Sequence, residues 1–196
     1  PATLAGISKL GFNVTQVYGL TETYGHVVES LWDKAWDSLP EVGQSAIKAR
    51  QGVAMPMMDI TTVVDSLGTQ IPMDGTTQGE IIMRGNSVMK GYYKNPEATA
   101  KSFAGGFFHS EDIAVQHPGG MMQIADRMKD IIISGGENIS SIEVEGAIME
   151  HPAVSLCAVV AKPDDKWGEV PCAFVELLAG KSATEAEVIS FVRSKL

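Results

Sequence analysis

The chain has 196 residues, of which 44% are hydrophobic and 20% are charged, and its formal net charge is -9. This composition is typical of a globular protein that buries a core in one ordinary domain or in two small ones. The net charge argues against non-specific binding to nucleic acids or anionic membranes, and without an apolar run of spanning length or a basic-then-apolar leader we expect no membrane span.

The first forty residues predict the end of a larger α/β unit. Leu4, Ile7 and Leu10 have helical spacing, with Gly11 as a stop signal, so we expect a helix over residues 2–10. Residues 12–17 alternate as a strand does and lead into Tyr18 and a tight turn at Gly19. A helix followed at once by a strand is typical of an α/β sheet. We therefore assign residues 1–40 to the remnant of an α/β subdomain.

Residues 41–126 consist of short β-rich runs between Gly, Pro and Asp residues. The clearest strands are expected at residues 59–64, 79–84 and 106–115. One helix is expected at residues 95–103, because Asn95 suits the N-cap position and Pro96 the first helical position. This mixture predicts a distorted, β-barrel-like subdomain.

Residues 127–196 predict a small, mobile α+β domain that is truncated. Residues 131–133 form an isoleucine run expected to be a buried strand, and Ser134-Gly135-Gly136 is expected to be a turn. Ser140 and Glu143 fit a capping box that opens a helix over residues 141–150. Strands at 154–161 and 172–178 and a last helix, which runs to Leu196 without a stop signal, complete the pattern. The fold class expected for the whole chain is α+β.

Three segments in order resemble the adenylate-forming enzymes, which include acyl-CoA synthetases, adenylation domains of peptide synthetases and luciferases. Tyr18-Gly19-Leu20-Thr21-Glu22 resembles their adenine-binding segment, and residues 79–93 resemble a later core segment. Residues 124–145 resemble their hinge and the loop after it. The resemblance implies ATP, Mg²⁺ and coenzyme A as cofactors and a carboxylic acid as substrate. The acid is expected to be a fatty acid, and the oligomeric state stays open.

The first segment would bind the nucleotide and the metal. The resemblance implies that Tyr18 stacks on adenine, that Gly19 lets the backbone come near the nucleotide and that Thr21 contacts the α-phosphate. Glu22 would be a Mg²⁺ ligand, and Thr21 and Glu22 would be the catalytic pair. An alternative is that Tyr18 is a core aromatic residue and that Thr21 and Glu22 only cap a helix.

Asp112 and Arg127 would hold the ribose hydroxyls. The family usually has His-Thr-Gly-Asp where this chain has His109-Ser110-Glu111-Asp112, and Gly106 stands where a tryptophan is common. Glu111 therefore adds a negative charge and removes a residue that takes positive φ freely.

Lys129 stands at the position where the family pivots between its two half-reactions, a hinge motion that few residues absorb. Gly135, Gly136 and Glu137 would then line the path of the pantetheine thiol. A structural turn predicts the same two glycines, so both readings stay open.

Two lysine-bearing segments of the family have no counterpart in this sequence, so we expect a part of a longer acyl-CoA synthetase that is inactive by itself. The alternatives are an adenylation domain that loads a carrier-protein thiol and a stand-alone nucleotide-binding or interaction module. Cys157 and Cys172 lack a Cys-x-x-Cys arrangement, which favours free thiols and a cytoplasmic location. The four histidines show no metal spacing, so we expect no zinc.

Overall fold

The structure is a computed structural model that describes Ile7 and residues 10–196. It has the mixed α+β class predicted from the sequence, and it divides into two compact units, one ending at Ile124 and the other covering Ala125–Leu196. The predicted helix over residues 2–10 lies mostly outside the described residues. The three-segment division at residues 40 and 126 stays a prediction.

The first sheet in the described part of the first unit is small and antiparallel, with the order β1-β2-β3. Its strands are β1 (Val17–Leu20), β2 (Gly25–Glu29) and β3 (Val53–Ala54). The strand predicted at residues 12–17 is wrong, because pairing begins only at Val17, opposite Glu29. Before Val17, the Gln16 carbonyl accepts a hydrogen bond from the Ser30 N–H at 2.9 Å, but residues 12–16 do not continue the strand.

A second antiparallel sheet has the order β4-β5-β6-β7. Its strands are β4 (Met58–Val64), β5 (Gln78–Gly85), β6 (Phe108–Gln116) and β7 (Met122–Arg127), which confirms the three strands predicted in this region. An isolated antiparallel bridge between Gly52 and Met122 connects the two sheets. Both sheets contribute to one hydrophobic core, whose fully buried members include Val27, Val63 and Ile81.

Two α-helices lie within residues 10–124 of this unit. Helix α2 (Pro96–Ser102) confirms the prediction, and the Asn95 side chain accepts a hydrogen bond from the Ala98 N–H at 3.1 Å. Helix α1 (Glu41–Lys48) lies in the stretch predicted to be β-rich, so that prediction is wrong there. The helix has Pro40 at its N-cap and Gly43 inside, which are weak helix signals.

The second unit is a four-stranded antiparallel sheet with two helices, in the order β10-β11-β8-β9. Its strands are β8 (Ile132–Ser134), β9 (Glu137–Ile139), β10 (Val154–Asp164) and β11 (Gly168–Leu177), and its helices are α3 (Ser141–Met149) and α4 (Glu185–Arg193). Ile132 is fully buried but Ile133 is 55% exposed, so the predicted buried strand is half-buried instead. Within the described part of the chain, no helix combines the length and the apolar character needed to cross a membrane.

Candidate functional site

The predicted nucleotide-binding residues Tyr18 and Asp112 are in direct contact in the first unit. The Tyr18 hydroxyl donates a hydrogen bond of 2.7 Å to Oδ2 of Asp112, across 94 residues of sequence. Both side chains are buried, and the Tyr18 ring belongs to the hydrophobic core. The alternative interpretation of Tyr18 as a core aromatic residue therefore describes its ring, while its hydroxyl orients the carboxylate. Adenine stacking on Tyr18 stays a prediction.

Gly19 is needed for the pairing of β1 with β2. A Cβ at this position would overlap the backbone oxygen of Gly25, so only glycine allows the two strands to approach this closely. The strand pairing explains the glycine without a ligand. Its predicted role beside a nucleotide stays a prediction.

Thr21 and Glu22 lie on a short 3-10 turn, Thr21–Thr23, that follows β1 directly. The Thr23 hydroxyl accepts from the Leu20 N–H at 2.8 Å and fixes the start of this turn, while Thr21 is exposed. Oε1 of Glu22 accepts a hydrogen bond of 3.1 Å from the Tyr92 hydroxyl. Burial and the Glu22 carboxylate raise the pKa of Tyr92, so its hydroxyl stays protonated and can donate.

The sheet carries Asp112 on an irregular segment of β6. Glu80 is paired with Ile113 and Ile82 with His109, so three residues of β6 lie opposite Ile81 alone. Ser110 compensates for the broken ladder, because its hydroxyl donates to the Ile81 carbonyl at 2.8 Å and accepts from the Asp112 N–H at 3.1 Å. Sheet register therefore sets the position of Asp112.

Glu111, at the position where the family usually has glycine, has a left-handed backbone conformation with a φ of 59°. Its carboxylate forms an exposed ion pair of 3.0 Å with Lys101. Glu111 therefore has a conformation that glycine adopts freely, and its side chain adds an ion pair. This conformation also imposes steric strain, since a side chain disfavours positive φ.

Sequence reasoning did not identify Glu80 as part of this site. Oε1 of Glu80 accepts from the Glu111 N–H at 3.0 Å, and Oε2 lies 2.7 Å from Nδ1 of His109. Nε2 of His109 lies 3.2 Å from the Ala104 carbonyl oxygen. One indication of this role was present in the sequence, an acidic residue after Gly79 in a β-rich run. The role of Glu80 itself follows only from the register of β5 and β6.

In the second unit, the buried carboxylate of Asp126 connects the end of β7 with the start of α3. Oδ2 accepts from the Ser141 N–H at 2.6 Å, from the Ser141 hydroxyl at 3.0 Å and from the Ser140 hydroxyl at 3.1 Å. Oδ1 accepts from the Arg127 N–H at 2.8 Å. The Ser140 hydroxyl in turn accepts from the Glu143 N–H, as predicted for the N-cap of this helix.

Arg127 ends β7 directly after this anchor, and Lys129 lies in the turn that follows. The Arg127 carbonyl accepts hydrogen bonds from the N–H groups of Asp130 and Ile131, at 2.9 and 3.1 Å. Arg127 and Lys129 are both solvent-exposed within their unit. Their predicted roles as ribose ligand and pivot stay predictions.

Gly135 and Gly136 form a two-residue hairpin turn between β8 and β9, with Glu137 exposed just after it. Their φ values of 61° and 90° fit the hairpin turn type that needs positive φ at both positions. A Cβ at Gly135 would come within 2.7 Å of the Trp167 ring, whereas at Gly136 it would meet nothing within 4 Å. The turn alone explains both glycines, and the thiol channel stays a prediction.

Of the apolar residues that follow the first segment, Val27 and Val28 are fully buried in the core. Tyr24 is 93% exposed and adopts a positive φ of 58° at the end of the 3-10 turn.

The described residues contain no group of three or more His, Cys, Asp or Glu side chains arranged to hold a metal ion. One carboxylate, that of Glu22, stands beside the exposed Thr21 on the turn after β1. A single carboxylate fits Mg²⁺, which is usually held by one or two carboxylates together with substrate phosphates and water.

Two family models match the chain. The model of the AMP-binding enzyme matches residues 1–93, and that of the AMP-binding enzyme C-terminal domain matches residues 143–196. An acetate–CoA ligase of Humulus lupulus is 51% identical over 202 residues, and a 4-hydroxybutyrate–CoA ligase of Metallosphaera sedula is 50% identical over 196 residues. Each alignment covers 100% of this chain and 36% of the relative, so the chain spans about a third of the length of these relatives.

Solved structures give the same result. The o-succinylbenzoate CoA synthetase of Bacillus subtilis, in complex with its acyl-adenylate intermediate, has a TM-score of 0.82 and 30% identity and matches 100% of this chain and 38% of that one. ATP-bound MatB of Rhodopseudomonas palustris has a TM-score of 0.81 and 31% identity and matches 95% of this chain and 35% of that one. The fold is that of adenylate-forming proteins. The chain belongs to the AMP-binding enzyme family.

Proposed function

We propose that this chain is part of an AMP-forming acyl-CoA synthetase, an acid–thiol ligase that joins a carboxylic acid to coenzyme A at the expense of ATP. The hydrogen bond between Tyr18 and Asp112 carries the proposal, because it brings two separately predicted nucleotide-binding segments into one place. The relatives named above, both CoA ligases of about 50% identity, support the same activity.

The reaction has two steps. A carboxylate oxygen of the acid attacks the α-phosphorus of ATP, and the bond to the leaving pyrophosphate breaks, giving an acyl-adenylate. The coenzyme A thiolate then attacks the acyl carbonyl carbon, and AMP leaves with the bonding electron pair. Catalysis of such a transfer depends mainly on positioning and on neutralising the charge that develops.

Residues of the first unit would position the nucleotide. Asp112, oriented by the Tyr18 hydroxyl, would accept hydrogen bonds from the ribose hydroxyls. The exposed Thr21 would donate to an α-phosphate oxygen. The Glu22 carboxylate, oriented by Tyr92, would hold Mg²⁺, which neutralises phosphate charge when bound.

Residues of the second unit would serve ribose binding and the second half-reaction. Arg127 would donate to the ribose, and Lys129 would be the pivot of the change between half-reactions. Asp126 anchors the backbone directly before this turn, while the turn itself is exposed, which suits a pivot of few residues. Gly135, Gly136 and Glu137 would line the thiol path, since the Gly136 position leaves open space.

The substrate is proposed to be an aliphatic acid of the fatty-acid type. The relatives act, by their names, on acetate and 4-hydroxybutyrate, and an Arabidopsis thaliana relative is an acetate/butyrate–CoA ligase. A panel of acetate, butyrate, hexanoate, octanoate and cinnamate would rank the acids. Highest kcat/KM for cinnamate would contradict the aliphatic assignment.

The cytoplasm is the proposed compartment, because both Cys157 and Cys172 are free. The Arabidopsis relative named above is peroxisomal, which makes the peroxisome the alternative outcome. Microscopy of the tagged full-length protein in its own host distinguishes the two compartments.

The test of the activity uses the full-length enzyme that contains this chain, with ATP, Mg²⁺ and the acid panel. We expect acid-dependent release of pyrophosphate, and acyl-CoA formation when coenzyme A is added. Glu22→Gln should lower the rate and raise the Mg²⁺ concentration needed for half-maximal rate, while Glu97→Gln, on the exposed start of helix α2, should change neither. Loading of a carrier protein in preference to coenzyme A would favour the alternative ligase.

The 196-residue polypeptide alone is proposed to be inactive and to bind AMP weakly. Pyrophosphate release by this polypeptide, or tight AMP binding in calorimetry, would contradict that proposal. Tight binding without turnover would instead support a stand-alone nucleotide-binding module.

A further inference from the structure

The irregular segment of β6 creates a hydrogen-bonding problem next to Asp112. Since residues 110–112 lie opposite Ile81 alone, their backbone groups cannot all bond to β5 in the regular ladder. Buried or partly buried backbone groups need partners, and without them the segment would relax into another register. Such a shift would move the Asp112 side chain.

One carboxylate from the neighbouring strand solves this problem at two points. Oε1 of Glu80 accepts from the Glu111 N–H at 3.0 Å, in the middle of the irregular segment. Oε2 of Glu80 lies 2.7 Å from Nδ1 of His109, at the start of the segment. The Glu80 side chain is only 16% exposed, so water competes weakly for these bonds.

The second ring nitrogen of His109 contacts a neighbouring turn. Its Nε2 lies 3.2 Å from the carbonyl oxygen of Ala104, in the 3-10 turn Ala104–Gly106. Glu80, His109 and this turn therefore form a continuous polar connection that surrounds the residues leading to Asp112. Within the segment, the Ser110 hydroxyl forms hydrogen bonds with the Ile81 carbonyl and the Asp112 N–H.

We propose that Glu80 is a positioning residue for nucleotide binding, which holds the irregular segment of β6 so that the Asp112 carboxylate faces the ribose. Glu80 does not touch the nucleotide and acts through Glu111 and His109. This inference rests on the proposed function, and it adds a residue to which the sequence motifs gave no role.

The experiment compares Glu80→Ala, Glu80→Gln and Asp65→Ala in the full-length enzyme. Glutamine keeps an oxygen for the Glu111 N–H and an amide that can pair with neutral His109. Asp65 is the control, because it is also a carboxylate that accepts backbone hydrogen bonds, from Leu67 and Thr69 at 2.8 and 2.9 Å, but in the exposed turn after β4. The measurements are KM for ATP, kcat, KM for coenzyme A and the AMP dissociation constant from calorimetry.

We expect Glu80→Ala to raise KM for ATP and the AMP dissociation constant about tenfold, the loss expected when a charged hydrogen-bonding group is misplaced. KM for coenzyme A should stay within about twofold, since the thiol step does not depend on Asp112. Glu80→Gln should restore nucleotide affinity to within about threefold of wild type. Asp65→Ala should leave all four quantities unchanged.

An unchanged AMP dissociation constant in Glu80→Ala, or an equal rise in Asp65→Ala, would overturn the positioning role. Failure of glutamine to restore affinity would overturn it as well. If Glu80→Ala does not fold, Ser110→Ala replaces it, with the same expected tenfold weakening. A wild-type enzyme that binds AMP without forming acyl-adenylate refutes the proposed function alone, whereas one that binds no AMP refutes both.

Discussion

Replacing Asp126 with alanine removes a buried carboxylate that accepts four hydrogen bonds at the junction of β7 and α3. Ser140 keeps an alternative acceptor, because the Ala125 carbonyl oxygen lies 2.9 Å from its hydroxyl oxygen and can accept its single proton. The N–H and the hydroxyl of Ser141 both donate to Asp126, at 2.6 and 3.0 Å, and Ser141 is 7% exposed. The substitution therefore leaves two polar groups buried without this acceptor.

Each buried group that loses its partner costs about 1–3 kcal/mol, so we expect Asp126→Ala to lower the free energy of unfolding by about 3 kcal/mol. In a chain of this length that corresponds to a fall in Tm of about 6–12 °C. Asp126→Asn should lose less stability, because the side-chain carbonyl oxygen of asparagine still accepts hydrogen bonds. Asp130→Ala, an exposed carboxylate in the same segment, should stay within about 0.5 kcal/mol of wild type.

The assay combines urea unfolding of the whole chain with hydrogen exchange of residues 126–150. Exchange of the Ser141 amide and of the first turn of α3 should accelerate in Asp126→Ala and not in Asp130→Ala. A loss of less than about 1 kcal/mol, or equal losses in the two alanine variants, would refute the anchoring role of Asp126.

Three further predictions concern backbone strain and acid stability, each measured by urea unfolding. Gly135→Ala should lose more stability than Gly136→Ala. A side chain at positive φ costs about 1–2 kcal/mol at either position, but only a Cβ at Gly135 would also clash with the Trp167 ring. Equal losses of stability would contradict this prediction. Glu111→Gly, made in a Lys101→Ala background to remove the ion pair, should gain about 0.5–1 kcal/mol, since relief of positive φ exceeds the entropy that glycine adds to the unfolded chain; a loss would show no strain. Hydrogen bonds from the following threonines hold the pKa of Asp74 well below its ordinary range, so its stabilisation is present above the unfolded pKa and is lost as pH falls below about 4. In Asp74→Asn, the free energy of unfolding should fall less steeply as pH decreases. A fall as steep as in the wild type would contradict this prediction.

The strands and caps that sequence patterns predicted correctly depend on local signals. Asn95 and Ser140 were recognisable as N-caps because a short polar side chain precedes a helical run, and both accept from the expected N–H group. Helix α1 was missed because its apolar residues do not form a buried stripe. Val42, for example, is 82% exposed.

The site itself was predictable only as separate motifs. Tyr18 and Asp112 were each assigned to the nucleotide from their segments, but their contact depends on sheet pairing across 94 residues. Glu80 was not identified, because the irregular segment that it supports arises from the register of β5 against β6. For the neighbouring charged residues Asp126, Arg127 and Lys129, only the fold shows that Asp126 is buried while the other two are exposed.

The most direct measurement is an AMP titration of the full-length enzyme by calorimetry, wild type against Asp112→Asn. Asparagine keeps the shape of the side chain and an oxygen for the Tyr18 hydroxyl, but removes the charge that would hold the ribose. A shared nucleotide site predicts an AMP dissociation constant at least about tenfold weaker in the variant. Equal affinity of the two proteins for AMP would contradict the account.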